Sequence, residues 1–124
     1  MKSKTFSNIR EIKRGQIYMV NFDPTVGHEI KKTRPAVVIQ NDLGNRFSST
    51  TIVAAVTGNG KKFKKAPVCV LIAKDTTKLK KESIILLNQI RTIDKQRLTH
   101  FIDILPELTM KELNIQLKIS LDLE

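Results

Sequence analysis

The sequence predicts a small, mainly β domain of the barrel or sandwich kind. Short apolar runs recur at close spacing, at 16–22, 36–40, 51–56, 67–72, 83–90 and 98–105. Many short strands in succession point away from the alternating strands and helices of a parallel α/β sheet. Turn-forming residues separate the runs, as at Asp23-Pro24 and Gly58-Asn59-Gly60. A chain of 124 residues, 40% of them hydrophobic, is sized for one domain with a modest core, which association between subunits can help complete.

Taken in order, residues 1–12 are polar and lack periodicity, and read as an arm ahead of a single domain over 13–124. Residues 16–22 are β-branched and aromatic, as a strand requires, and Asp23-Pro24 closes them with turn chemistry. A loop follows over 25–33. Pro35 has no N–H to give a ladder, so it is expected to open the next strand or lie at an edge, with Arg34 at the strand's mouth. Residues 41–48 are turn-rich with room for one helical turn. Residues 51–56 are apolar throughout, as in a strand covered on both faces. The C-terminus carries two conflicting signals. Thr109 and Glu112 have capping-box spacing and predict a helix start. Leu113, Ile115, Leu117, Ile119, Leu121 and Leu123 alternate with polar residues, and that period of two predicts a strand; on periodicity alone the strand is the expectation.

Charge narrows the function. There are 22 Lys and Arg against 12 Asp and Glu, a net +10. Such an excess favours polyanionic partners, nucleic acid first, with plain solubility as the ordinary alternative. The basic run Lys61, Lys62, Lys64 and Lys65 brackets Phe63 and suits a phosphate backbone beside a stacked base, or equally a solvated loop. Lys78, Lys80 and Lys81 form a second cluster, better read as protection against edge-to-edge pairing. The single cysteine, Cys69, sits among apolar residues and reads as a small core residue. Lack of disulfides fits a cytoplasmic protein. The first residues hold no apolar run of the signal-peptide kind, and no segment nears the ~20 apolar residues that span a bilayer. Two histidines, scattered, and one cysteine give no zinc spacing. The aspartates do not cluster for magnesium, and no glycine-rich phosphate loop occurs. These absences point away from metals and nucleotide cofactors.

Arg34 and Thr57 are the candidates for chemistry. A guanidinium is planar and permanently charged, and it matches phosphate oxygens in pairs. A hydroxyl at a strand end can donate to a phosphoryl oxygen as charge develops. Each also has an ordinary explanation, a surface arginine and a hydroxyl that satisfies a turn before Gly58. His28 and Glu29 offer an acid–base pair, but neighbours in an extended segment point to opposite faces. Gln89, Arg91 and Thr92 follow an apolar strand, where they can reach a base edge or a partner subunit.

Together these segments resemble the MazF/PemK family of toxin endoribonucleases, from Arg14 to about Leu121. The resemblance rests on Arg14-Gly15-Gln16-Ile17-Tyr18, Asp23-Pro24, Gly27-x-Glu29, Arg34-Pro35 and the segment Thr51 to Thr57. Val38-Ile39-Gln40-Asn41-Asp42, Gly44-Asn45-Arg46-Phe47-Ser48 and the block from Gln89 to Leu98 look like the branch of low-GC Gram-positive bacteria. Each piece is weak alone; their order and spacing are specific. The resemblance implies an SH3-like β-barrel with short helices and a C-terminal helix, working as a homodimer. It implies metal-independent cleavage of single-stranded RNA, at U-A-C-A-U-type sites, by attack of the ribose 2′-oxygen. Arg34 and Thr57 take the catalytic positions. RNA contacts fall on Arg14, His28, Glu29, Asn41, Asn45 and Gln89, besides the four lysines. A MazE-like antitoxin with an acidic, partly disordered tail is the implied partner. The loop Ile30-Lys31-Lys32-Thr33 departs from the small or Gly-rich residues usual there, and His28 stands where Ser is common. A gyrase-poison-like toxin, or a nucleic-acid-binding module without catalysis, is the alternative on the same fold.

Overall fold

A computed structural model describes residues 11–58 and 68–124. It has six strands, β1 (Gln16–Asn21), β2 (Thr33–Val38), β3 (Thr50–Thr57), β4 (Cys69–Ile72), β5 (Ser83–Asp94) and β6 (Leu98–Ile104). Two α-helices are present among the described residues, α1 (Asp42–Phe47) and α2 (Glu107–Ser120), and a 3-10 turn at Lys95–Arg97 joins β5 to β6. The strands form one antiparallel sheet in the order β4-β5-β3-β2-β1-β6. The sheet is rolled. The β4–β5 connection reaches β6 at the opposite edge, where Lys78 N–H donates to Asp103 Oδ2 at 2.8 Å.

Each face of the sheet buries its own cluster. Ile17, Val37, Ala54, Val56, Val70, Ile85 and Leu87 pack on one face with Leu105 and Leu113. Tyr18, Val20, Phe22, Ala36, Val38, Val53, Ala55 and Ile93 pack on the other. This accounts for the unbroken apolar run of β3, whose alternate residues feed the two clusters. β5 is longer than its apolar pattern indicates, because it bends. Ala54 pairs with Ile90 and Ala55 with Leu86, which leaves Leu87, Asn88 and Gln89 as extra residues on β5. Such a bulge re-aims side chains, and here it turns Gln89 toward the β1–β2 loop. Pro35 lies within β2 rather than opening it. It stands where β2 pairs with β1 alone, since pairing with β3 begins at Ala36.

The C-terminus is a helix, so the strand expected from its alternation is overturned. Leu113 is fully buried, with Met110 and Leu117 packed on the same cluster. Leu108, Ile115 and Ile119 form an exposed second stripe. The alternating pattern is thus two helical stripes interleaved. The helix also begins before Thr109. Pro106 is the N-cap, with no side-chain capping bond, and Glu107 lies in the first turn. A preset proline φ and an acidic first turn start the helix without a capping box.

Candidate active site

Arg34 lies near the start of β2 and Thr57 at the end of the antiparallel β3, so the two stand toward the same end of that strand pair. In the β2–β3 ladder Ala36 pairs with Ala55, Val37 with Ala54 and Val38 with Val53. Continuing that register sets Arg34 across from Thr57. Both have the strand parity of Ala36 and Ala55, which share one cluster. The ladder stops at Ala36, immediately beyond a proline that lacks an N–H. The two candidate residues therefore lie just beyond the last paired residues of the β2–β3 ladder. Thr57 is 2% exposed and Arg34 is half-buried.

The guanidinium is directed by the backbone beside it. Arg34 Nε donates to the Lys31 carbonyl at 3.0 Å. Its ion pairing is open: among the described residues, no carboxylate pairs with it. A fork held by its stem and unmatched by an acid is suited to receive an anion. A second cation lies nearby. A side chain at Gly58 would come within 2.5 Å of Lys81 Cε, so the lysine stem crosses the residue after Thr57.

The loop before β2 is fastened at its base. Phe22 N–H donates to the Lys32 carbonyl, and Lys32 N–H donates to Asp23 Oδ1, both at 2.9 Å. Lys32 has φ 66°, a left-handed conformation that costs a lysine about 1 kcal/mol or more. Two arginines outside the loop grip its entry. Arg91 Nη1 donates to the Phe22 carbonyl at 2.6 Å, and Arg97 Nη1 donates to the carbonyls of Asn21 and Asp23. Gln89 Oε1 accepts from Ile30 N–H at 3.2 Å. Glu29 accepts from Val26 N–H within the loop, while His28 is exposed. The loop that carries His28 and Glu29 is thus tied to Gln89 at Ile30 and to Arg34 at Lys31. Sequence reasoning did not single out Arg97 and took Arg91 for a base or partner contact. Nothing in a basic block announces that its arginines will bind carbonyls of a strand distant in sequence.

Arg14, Asn41 and Asn45 lie elsewhere. Arg14 Nε donates to the Ile39 carbonyl and Nη2 to Asn114 Oδ1, which ties the sheet to α2. Ile39 follows the far end of β2, roughly 17 Å from Arg34 at ~3.3 Å per residue. Asn41 caps α1 by accepting from Gly44 N–H. Asn45 is 2% exposed. Its Oδ1 accepts from Thr51 Oγ1 at 2.6 Å and from Gln40 Nε2 at 3.1 Å, and its Nδ2 donates to the Gln40 carbonyl at 2.9 Å. Asn45→Ala is expected to destabilise the protein by about 1–3 kcal/mol, because buried partners are left unpaired. Chemical denaturation measures this. A variant as stable as wild type but deficient in RNA affinity would make Asn45 a substrate contact instead of a scaffold residue. Lys61, Lys62, Lys64 and Lys65 lie outside the described residues. Among the described residues no His, Cys, Asp and Glu side chains group to hold a metal ion.

The chain is thus a small, mainly β protein, a rolled antiparallel sheet with an arginine and a threonine near the ends of adjoining strands. The chain belongs to the family of PemK-like, MazF-like toxins of type II toxin–antitoxin systems, whose model matches residues 13–121. It is a homologue of the endoribonuclease MazF of Staphylococcus saprophyticus, 47% identical over 112 residues that cover 90% of this chain and 92% of that protein. Among solved structures it is similar to MazF from Deinococcus radiodurans, with a TM-score of 0.79 at 22% identity, covering 93% of this chain and 100% of the other. It is also similar to a mycobacterial endoribonuclease solved with its cognate antitoxin, with a TM-score of 0.72 at 19% identity over 94% and 98% of the two chains. The fold is thus the MazF fold, a mainly β sheet with one short helix and a C-terminal helix.

Proposed function

We propose that this toxin cleaves single-stranded RNA without a metal, by in-line attack of a ribose 2′-oxygen on the adjacent phosphate. The P–O2′ bond forms as the P–O5′ bond breaks. The 2′-hydroxyl loses a proton and the departing 5′-oxygen gains one, leaving a 2′,3′-cyclic phosphate and a 5′-hydroxyl. The observation that supports this reading is the β2–β3 register of Ala36 with Ala55, whose continuation beyond the ladder leads to Arg34 on one strand and Thr57 on the other. Charge accumulates on the phosphoryl oxygens in the transition state. Arg34 supplies fixed positive charge to them, and the Thr57 hydroxyl donates to a non-bridging oxygen. DNA lacks the nucleophile, so it is not cut.

His28, Glu29 and Gln89 stand at the same end of the sheet and are the base-reading candidates. U-A-C-A-U-type sites are the proposed targets, with the lysine-rich 30–33 loop as the segment that shifts preference. The working unit is a homodimer in the cytoplasm, and its inhibitor is a MazE-like antitoxin. The exposed stripe of Leu108, Ile115 and Ile119 on α2 supports an assembly larger than one chain. Thr57→Ala should lower cleavage by about 100-fold, the loss typical of one transition-state donor, while Thr57→Ser retains most activity. Gel assays on a U-A-C-A-U RNA in EDTA read this. Equal activity in wild type and Thr57→Ala would remove Thr57 from the mechanism. Stabilised gyrase–DNA breaks beside intact RNA would favour the gyrase-poison alternative.

A further inference from the structure

The fastening of the loop base does more than hold a loop. Arg34 Nε is anchored on one acceptor, the Lys31 carbonyl. That carbonyl belongs to the peptide unit whose N–H is Lys32's, and Lys32 N–H is held by Asp23 Oδ1. One rigid peptide therefore joins the two hydrogen bonds, because its C=O and N–H share a plane. Fixing the N–H on Asp23 fixes the direction in which the C=O points. Lys32 sits in the left-handed region, with φ 66°, where a lysine stays only if its surroundings insist. Asp23 is itself located by Arg97, whose Nη1 bonds the carbonyls of Asp23 and Asn21. The next peptide along, Lys32–Thr33, is held in turn by Phe22 N–H on the Lys32 carbonyl.

We infer that Asp23 and Arg97 are positioning residues for the reaction, acting through the Lys31–Lys32 peptide to aim the Arg34 guanidinium at the scissile phosphate. This rests on the catalytic assignment of Arg34 made above. Asp23 is exposed and pairs with no cation among the described residues, so its function lies in accepting one backbone N–H. Asparagine can do the same through its amide oxygen; alanine cannot. Without that bond the peptide can rotate, the Lys31 carbonyl turns away, and Arg34 samples directions that miss the phosphate. A misplacement of up to about 1 Å lowers a rate by roughly 10- to 100-fold.

The test uses the full chain with the variants Asp23→Ala, Asp23→Asn, Arg97→Ala and Arg34→Lys. It reads kcat and KM on an RNA oligonucleotide, thermal melting, and the ¹⁵N–¹H signal of the Arg34 Nε–H, assigned by its loss in Arg34→Lys. Asp23→Ala and Arg97→Ala should each lower kcat by roughly tenfold or more with KM within about twofold. Asp23→Asn should stay near wild type. The Arg34 Nε–H should exchange faster with solvent in Asp23→Ala than in wild type, an effect that loss of global stability alone does not produce when melting is unchanged. If either alanine variant unfolds, the other carries the same expectation. Unchanged kcat in a folded alanine variant, an unmoved Arg34 Nε–H signal, or an Asp23→Asn variant as slow as Asp23→Ala would overturn the inference. Arg34→Lys as active as wild type would locate the failure in the Arg34 assignment. A crippled Arg34→Lys beside a fully active Asp23→Ala would locate it in the positioning claim alone.

Discussion

Arg34→Ala should lower RNA cleavage by about 10²–10³-fold or more while leaving the protein folded, the largest effect on activity expected from any single substitution here. The residue lies at a strand end, half-buried, and its one backbone bond is to Lys31 within its own loop. Removing it therefore takes little packing away. What it removes is the fixed charge proposed to stabilise the phosphoryl oxygens. Free guanidinium added to the alanine variant should restore part of the rate, since the vacated space and the anion-receptive geometry persist. Arg34→Lys should recover less than the charge alone would suggest, because an ammonium lacks the planar fork and the Nε that holds the Lys31 carbonyl. Melting and circular dichroism that match wild type, beside lost cleavage, are the expected pair of results. Wild-type cleavage rates in Arg34→Ala would end the assignment.

Leu113→Ala should have the largest effect on stability, about 2–5 kcal/mol. The side chain is fully buried between α2 and the sheet, in the cluster of Ile17, Val37, Leu87 and Leu105. Truncation loses apolar burial and leaves a cavity that a sheet and a helix cannot readily collapse. Ile115→Ala makes the contrast informative. Ile115 is 54% exposed in the single chain, so its truncation should cost little there. In a strand, residues 113, 115 and 117 would share one face and respond alike; in a helix 113 and 117 differ from 115. Denaturation midpoints of Leu113→Ala and Ile115→Ala thus also test the helix. Equal losses at both sites would contradict the packing described.

That contrast marks where the fold was legible in the sequence. β1 and β3 are plain in their apolar runs, because each alternate residue enters one of two buried clusters. The C-terminus misleads because α2 carries a buried stripe and an exposed apolar stripe, and the two interleave into a false period of two. The bend in β5 is invisible for another reason. Leu87, Asn88 and Gln89 are extra only relative to Ala54 and Ala55 on a neighbouring strand, a relation between segments rather than within one.

The candidate site was legible as residue types more than as geometry. Arg34 beside a proline and Thr57 before a glycine can be picked out one at a time. Their placement relative to each other depends on the Ala36–Ala55 register, which no local pattern specifies. The resemblance implies that pairing. It did not separate Arg14, Asn41 and Asn45, which are bound into the scaffold at the far end of β2, from the residues around the β1–β2 loop. Nor did it give a role to Asp23 and Arg97, whose side chains bond backbone atoms.

The most direct test of the central claim is end-group analysis of RNA cut in EDTA by wild type and by Arg34→Ala. Wild type should give a 2′,3′-cyclic phosphate and a 5′-hydroxyl at one short sequence, seen as the mass of the upstream fragment, and Arg34→Ala should leave the same RNA intact. Cleavage that requires an added divalent metal, products bearing a 5′-phosphate, or an active Arg34→Ala variant would contradict it.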